Sequence, residues 1–318
     1  MTPDEFIAEW LNDSEYIHAH TSGSTGVPKA VQLLKSDMLA SARATNKFFG
    51  LGPEARFLCP LSPDYIAGKM MAVRAFAASG DTKNVHFVTP SNNPEFSPCD
   101  LLAIVPSQVE ALLNSPMLSR IHNVIIGGAQ LSDERRMSLC RAGVNAYESY
   151  GMTETCSHVA LKHVSADYFT AMPGVKLSLD ERGCLAIEAR HLSVGCIRTN
   201  DIAQLITPTA FRWLGRFDNI INSGGIKIVP EQQEQQIRSL STNPLPDFYI
   251  SSMPDSKWGN RVVIVTEGSD RQIESLKAAL TLLPSKTRPK EIIRLKSLPR
   301  TTNGKIRRLP PGDLHTSD

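Results

Sequence analysis

The sequence has no paired cysteines. Its six cysteines, at positions 59, 99, 140, 156, 184 and 196, lie far apart, and no C-x-x-C spacing offers a zinc or dithiol site. A chain of 318 residues builds its core without cross-links, so reduced thiols in a cytoplasm are the expectation. No apolar run approaches the roughly 18 residues that a membrane span needs. The opening Met1-Thr-Pro-Asp-Glu-Phe6 is acidic where a secretory leader would be basic. Net charge is also nearly absent: 34 Lys and Arg face 32 Asp and Glu, which leaves no footprint for bulk nucleic-acid binding. No internal repeat is visible. What is present is a globular composition, 41% hydrophobic and 21% charged, which excludes disorder and collagen-like repeats. At about 150 residues per domain the length predicts two domains. The expectation is a two-domain α/β protein.

Apolar runs at Val124-Ile-Ile126, Phe248-Tyr-Ile250 and Arg261-Val-Val-Ile-Val-Thr266 predict strands. Helical patterns cover Asp4 to Leu11, Ser36 to Phe49, Ser107 to Leu113, Ser132 to Ala142, Pro230 to Leu240 and Arg271 to Leu283. Ser132 supplies a capping side chain followed by early acids, and Pro230 stands in a first turn, where a missing N–H costs little. Between Ser285 and Pro310 stand nine Lys or Arg and one acid, Glu291. Taken alone, that stretch is a solvated basic tail. Within it, Arg294 and Lys296 alternate with Ile293 and Leu295, a strand pattern, and Pro299 to Gly304 reads as a turn. A domain boundary is expected near Leu214 to Asn219.

The most informative stretch is His20-Thr-Ser-Gly-Ser-Thr-Gly-Val-Pro-Lys29, leading into the apolar Ala30-Val31 of an expected strand. Two glycines among four hydroxyl residues allow a tight loop whose N–H and O–H groups face one anion. Thr21, Ser22, Gly23, Ser24, Thr25 and Gly26 form this loop, and Lys29 adds a cation. It is not a Walker A loop, because Lys29 follows Gly26 by three residues and precedes alanine, not Ser or Thr. The string resembles the phosphate loop of the AMP-forming acyl-adenylating ligases, the superfamily of acyl-CoA synthetases, adenylation domains and luciferases.

Further segments match that superfamily in order. Ile126-Gly-Gly-Ala-Gln-Leu131 is similar to its Gly-Gly-Ala segment, which implies that Gly127, Gly128 and Ala129 line the acyl and adenine pockets. Tyr147-Glu-Ser-Tyr-Gly-Met-Thr-Glu-Thr155 resembles its adenine and magnesium motif. The likeness gives Tyr150 and Gly151 to adenine, Thr153 to the α-phosphate, and Glu154 to Mg²⁺, a role suited to a carboxylate. Arg198-Thr-Asn-Asp201 matches an Arg-Thr-Gly-Asp motif and makes Asp201 the ribose ligand. Asn200 replaces the glycine, and since Asn tolerates positive φ better than most residues, a turn there would survive. Gly215-Arg-Phe-Asp218 resembles the hinge, with Arg216 on phosphate or ribose and Asp218 as the pivot. Gly224-Gly225 would admit the pantetheine arm of CoA, and Pro254-Asp-Ser-Lys-Trp-Gly259 matches a less diagnostic segment. Leu298-Pro-Arg-Thr-Thr-Asn-Gly-Lys-Ile-Arg-Arg308 is similar to the motif carrying the catalytic lysine, here Lys305.

The resemblance runs from about His20 to Arg308. It implies a large N-terminal α/β domain, residues 1–215, and a small mobile α+β C-terminal domain, residues 216–318. The family places more than a hundred residues before its phosphate loop; this sequence has 19, so the first domain is expected to be shortened. The implied chemistry is ATP-dependent activation of a carboxylic acid to an acyl-adenylate, followed by thioester formation with CoA. Thr153, Glu154 and Lys305 would be catalytic.

Gly151-Met-Thr-Glu-Thr-Cys-Ser-His158 is most similar to o-succinylbenzoate–CoA ligases of menaquinone synthesis. Some of those enzymes hold the substrate's second carboxylate with an arginine six residues after a glycine, and Arg74 has that spacing from Gly68. The alternative for Arg74 is an exposed place on an Ala-rich helix. Ser157, His158 and Lys69 are further acyl-pocket candidates. The expected partners are the acid, ATP with Mg²⁺, and CoA, with no nucleic acid and no membrane span; a homodimer is compatible with the resemblance. Two other functions fit the same motifs: loading a separate carrier protein, and non-catalytic AMP/ATP-binding regulation. Retention of Lys305, Glu154 and Asp201 speaks against the second.

Overall fold

A computed structural model of the chain describes residues 1–20, 30–301, 306–309 and 313. They form two compact units: Met1–Ser178 with Ala186–Ile197 and Leu205–Arg212, and Leu179–Leu185 with Arg198–Gln204 and Trp213–Asp318.

The first unit opens with α1 (Pro3–Leu11), whose Thr2 and Glu5 form a reciprocal capping box. Strands β1 (Tyr16–His20) and β2 (Ala30–Leu34) pair antiparallel up to His20↔Ala30, and so bracket in sequence the expected phosphate loop, which lies outside the described residues. There follow α2 (Lys35–Phe49), β3 (Phe57–Cys59), α3 (Ile66–Ser79), β4 (Val85–Phe87) and β5 (Leu101–Ile104). Next come α4 (Val109–Leu113), β6 (Val124–Ile126), α5 (Asp133–Arg141), β7 (Ala146–Gly151), β8 (His158–His163) and β9 (Phe169–Ala171).

Strands β4, β3, β5, β6 and β7 lie side by side in that order, all parallel, and β8 and β9 continue the sheet antiparallel. The central parallel strands β3, β5 and β6 are apolar and buried on both faces because helices cover both. Phe57, Cys59, Leu101, Ala103 and Ile125 point to one side and pack with Met71 and Ala75 of α3. Their neighbours Leu58, Leu102, Ile104, Val124 and Ile126 point to the other, onto Val109 and Leu112 of α4 and Leu139 of α5.

Strands β10 (Val175–Leu179), β11 (Cys184–Ala189), β12 (Cys196–Thr207) and β13 (Ala210–Arg216) divide their residues between the units. The second unit continues with β14 (Ile221–Ser223), β15 (Ile226–Ile228), α6 (Pro230–Leu240), β16 (Phe248–Asp255), β17 (Gly259–Thr266), α7 (Asp270–Thr281) and β18 (Glu291–Arg294). Strand β17 pairs antiparallel with β16 and parallel with β18. Phe248, Ile250, Val262 and Ile264 face the helices, against Ile237 of α6 and Leu276 and Leu280 of α7. The opposite face, Tyr249, Val263, Val265 and Ile293, is covered by Leu298, Ile306 and Leu309. The chain that flanks Lys305 thus closes the second side of this small sheet.

The mixed α/β class agrees with expectation, and β6, β16, β17 and the predicted helices stand where the patterns place them. Strand β18 ends at Arg294, earlier than the alternation suggests, although the Leu295 N–H still donates to Thr266 O at 2.9 Å. The basic stretch is not a solvated tail. Arg288 donates to the carbonyls of Thr281 and Leu283, Lys290 to Ser285 O, Arg294 to Asp270, Arg300 to Asp247 and Glu267, and Arg308 to Glu234. Among the described residues no helix is long and apolar enough to cross a membrane.

Candidate active site

In open α/β sheets, ligands bind outside the carboxyl ends of the parallel strands, where the strand order reverses. Here the order reverses about β3, which β4 and β5 flank on opposite sides. Gly127, Gly128 and Ala129 follow β6 directly, Tyr150 and Gly151 end β7, and Thr153–Thr155 form a one-turn 3₁₀ helix just beyond. The fold therefore brings two motifs together at one sheet edge. Tyr150 is held edge-on by Phe211, with ring centroids 5.0 Å apart, and Phe211 stacks on Phe169 at 5.3 Å. Gly151 is required sterically, since a Cβ there would stand 2.3 Å from Ser157 O.

The turn after β7 is tightly specified. Thr155 is fully buried, and its Oγ1 accepts from the Met152 N–H at 2.9 Å and donates to Ser157 O at 2.7 Å. Cys156 follows with φ 60°, the one positive-φ non-glycine among the described residues, a conformation that costs of order 1 kcal/mol or more and gathers at functional sites. The turn buries Thr153 and leaves the Glu154 carboxylate exposed. No cluster of three or more His, Cys, Asp or Glu occurs among the described residues. A single exposed carboxylate is nonetheless what Mg²⁺ needs when nucleotide phosphates supply its other ligands, so Glu154 fits that ion.

Three acyl-pocket candidates meet in one buried chain of hydrogen bonds. Arg74, on α3, is 3% exposed, and its Nη2 donates to Ser157 Oγ at 2.7 Å. Ser157 Oγ lies 3.3 Å from His158 Nδ1, and the far nitrogen of that ring lies 3.2 Å from Thr45 Oγ1 on α2. The exposed alternative for Arg74 is thereby excluded. Arg74 forms no ion pair among the described residues, and its Nε has no hydrogen-bond partner. Burial lowers its pKa to about 10, still charged at neutral pH. Lys69 is not part of this group: it turns to α1, 3.7 Å from Glu9 and over the Phe6 ring.

Burial, with the Arg74 charge adding to it, holds the His158 pKa well below the ordinary value. The unfolded chain, with a histidine pKa near 6.5, then takes up a proton that the folded chain refuses. Stability should fall as pH drops below about 6.5, by up to about 1.4 kcal/mol per pH unit from this residue alone. Denaturant titrations between about pH 7 and 5 should show that slope flattened in His158→Gln; an unchanged slope would contradict the assignment.

In the second unit Asp201 is buried on β12, and its Oδ1 accepts from Trp213 Nε1 at 3.0 Å and lies 3.6 Å from Arg216 Nη1. Arg216 also pairs with Asp218 at 2.8 Å. Asn200 needs no turn: β12 runs extended through it, so the expected positive φ is absent. Its amide instead donates to Asp218 at 3.0 and 3.2 Å and its oxygen accepts from Arg182 at 2.9 Å. Gly224 and Gly225, at φ 57° and 80°, form the two-residue turn of the β14–β15 hairpin, a turn that requires positive φ at both positions. Lys305 and residues 21–29, Lys29 included, lie outside the described residues.

Thr45, Trp213 and Glu231 are contacts that no linear pattern announces. Trp213 stands 12 residues from Asp201, on another strand, and Thr45 is 113 from His158.

The family model described as AMP-binding enzyme matches residues 8–181. The 2-succinylbenzoate–CoA ligase of Enterococcus faecalis is 25% identical over 90% of this chain and 67% of its own length. The crystal structure of an acyl-CoA synthetase (AMP-forming)/AMP-acid ligase II-like protein from Dyadobacter fermentans is 35% identical, with TM-score 0.62, over 95% of this chain and 90% of that one. The o-succinylbenzoate CoA synthetase of Bacillus subtilis, in complex with the acyl-adenylate intermediate OSB-AMP, shares the fold at TM-score 0.75 and 19% identity, over 95% of this chain and 69% of that one. With more than half of its residues matched by the family model and two of its motifs brought together at the ends of β6 and β7, the chain belongs to the AMP-binding enzyme family and is an enzyme of the AMP-forming acid–thiol ligase type.

Proposed function

We propose that this chain activates a dicarboxylic acid of the 2-succinylbenzoate kind at one carboxylate and passes the acyl group to CoA. The observation that carries the substrate class is Arg74: a guanidinium 3% exposed, hydrogen-bonded to Ser157 and paired with no acid among the described residues. Burying an unpaired charge costs several kcal/mol, a cost that a bound carboxylate would offset. His158, neutral and beside Ser157, completes a site for an anion without adding a second charge. The activity named for the Enterococcus relative supports the same acid.

In this reading a carboxylate oxygen attacks the α-phosphorus of ATP, the bond to pyrophosphate breaks, and the acyl-adenylate forms. Thr21, Ser22, Gly23, Ser24, Thr25, Gly26 and Lys29 cradle the phosphates, while Tyr150, with Gly128, Ala129 and Gly151, receives adenine. Asp201 accepts from the ribose hydroxyls, with Arg216 beside it, and Thr153 binds the α-phosphate. Magnesium, when bound, screens the phosphate charge, and Glu154 is the residue that would hold it. Lys305 neutralises the charge developing at phosphorus. The residues from 216 onward then turn about Asp218, withdrawing Lys305 and presenting Gly224-Gly225 to pantetheine. The CoA sulfur, having lost its proton to solvent, attacks the acyl carbon, and AMP leaves.

Carboxylate-dependent pyrophosphate release, measured across a panel of acids with and without CoA, tests this. The expected result is release with aromatic dicarboxylates and thioester only when CoA is present. Release without thioester would favour a carrier protein as acceptor. No release with any acid would favour an AMP/ATP-binding regulator.

A further inference from the structure

We propose that Thr45 is a positioning residue for Arg74. By fixing which nitrogen of His158 carries the proton, it sets the Ser157 hydroxyl, and through that hydroxyl the guanidinium that is to hold the acid's second carboxylate. The inference rests on the dicarboxylic-acid reading above. Thr45 is buried on α2, and its Oγ1 donates to Ser41 O at 3.1 Å, one helical turn back. With its only proton spent there, Oγ1 meets His158 Nε2, at 3.2 Å, as an acceptor. The ring is therefore protonated on Nε2, and Nδ1 keeps a lone pair. That lone pair faces Ser157 Oγ at 3.3 Å and accepts its proton. Ser157 Oγ then has only lone pairs to turn toward Arg74 Nη2, at 2.7 Å.

The opposite placement of protons fails the accounting. With Nδ1 protonated, Ser157 Oγ would accept from both the imidazole and Arg74, and its own buried proton would have no acceptor among the described residues. Burial and the Arg74 charge keep the ring neutral, so it offers one donor and one acceptor. Only the Nε2–H form satisfies every proton in the chain. The backbone of Arg74 is fixed from the same turn of α2, where Asn46 Nδ2 donates to Arg74 O at 2.8 Å. Two consecutive residues of one helix thus govern both ends of Arg74. Of its guanidinium, Nη2 is taken by Ser157, Nη1 meets the Met71 sulfur at 3.4 Å, and Nε has no partner among the described residues. The Nε–H is left for a ligand oxygen, and its direction depends on where Ser157 holds Nη2. A donor oriented in advance binds without the cost of ordering it.

Tautomer and substrate preference are measured on the same variants of the full chain. In nitrogen NMR with labelled histidine, the His158 ring signals, identified by their loss in His158→Gln, should show a neutral ring protonated on Nε2. Thr45→Val keeps the side-chain volume and removes the acceptor, so a form protonated on Nδ1 should appear. In pyrophosphate-release kinetics the same variant should raise KM for a dicarboxylic acid by about 3- to 10-fold, the size of one lost hydrogen bond. KM for a matched monocarboxylic acid and for ATP should change less than about twofold. Thr45→Ser restores the hydroxyl and should return the tautomer, and bring KM for the dicarboxylic acid within about twofold of the wild-type value. In an Arg74→Met background Thr45→Val should cost less than about twofold, because the group it positions is gone. If Thr45→Val fails to fold, Thr45→Ala removes the same acceptor and is read in the same way. A merely structural threonine raises both acid KM values alike. That result, a wild-type ring protonated on Nδ1, or the same tautomer in wild type and variant would overturn the assignment. If the wild type shows no preference for the dicarboxylic acid, the substrate reading fails and the assignment with it, even where the tautomer shifts as expected.

Discussion

Lys305→Ala should all but abolish acyl-adenylate formation while leaving thioester formation from preformed adenylate intact. The chemistry sets the size of the effect. A carboxylate and a triphosphate repel each other as they approach, and negative charge grows on the phosphoryl oxygens as the attacking bond forms. Inside a site that excludes water, one cation aimed at that charge is worth far more than in bulk solvent. Losing such a group typically costs on the order of 10²–10³ in kcat, about 3–4 kcal/mol. The second step is different in kind: a sulfur nucleophile expels AMP, a competent leaving group, and needs no cation at the attacking atom. The substitution leaves the ion pairs of Arg300 and Arg308 untouched, since these are made by their own side chains. Single-turnover pyrophosphate release and thioester formation from synthetic adenylate, measured on the same preparation, give the two rates. Comparable losses in both would contradict a lysine that serves adenylation alone.

Motif residues and the contacts that hold them in place differ in how far the sequence reveals them. Motif residues stand close together in the chain because a loop or turn must present several groups to one ligand. Tyr150, Thr153 and Glu154 are therefore legible as a string. Other contacts join residues far apart in the chain: Arg308 is 74 residues from Glu234, and Thr45 is 113 from His158. No spacing rule links such pairs.

The same logic governs the fold. Helices α6 and α7 show one apolar stripe and are found by their period. Helix α3 reads as an Ala-rich helix, but it buries Met70, Met71, Ala72, Val73 and Ala75 in an almost unbroken run, so no apolar stripe shows which of its side chains are inside. Strands of three residues, such as β3 and β4, are too short for alternation to register. Gly224-Gly225 shows a different limit: the pair reads as an approach for pantetheine, yet the hairpin turn by itself accounts for positive φ at both positions. Asn200 reads as a tolerated turn residue, yet it lies in an extended strand, and only the folded chain shows its side chain reaching Asp218.

Arg74→Met should move binding and stability in opposite directions. In the free protein the guanidinium is buried with no acid partner among the described residues, and its pKa is lowered to about 10 by burial. Since the unfolded chain keeps the ordinary arginine pKa, the folded state carries the full penalty below about pH 10 and sheds it as pH rises through that value. At neutral pH the penalty is on the order of 3 kcal/mol. Methionine matches much of the side chain's length and removes the charge, so the ligand-free variant should be at least as stable as the wild type. Binding should respond the other way. A carboxylate bonded to a desolvated guanidinium contributes about 2–5 kcal/mol, so KM for a dicarboxylic acid should rise by about 10²-fold or more. A matched monocarboxylic acid makes no such bond, and its KM should change only a few-fold. Thermal unfolding of the free chain and pyrophosphate-release kinetics with the paired acids give both numbers. A merely structural arginine predicts the reverse, a less stable variant with equal losses for both acids. The predicted pattern requires a charge held at a folding cost because a ligand uses it.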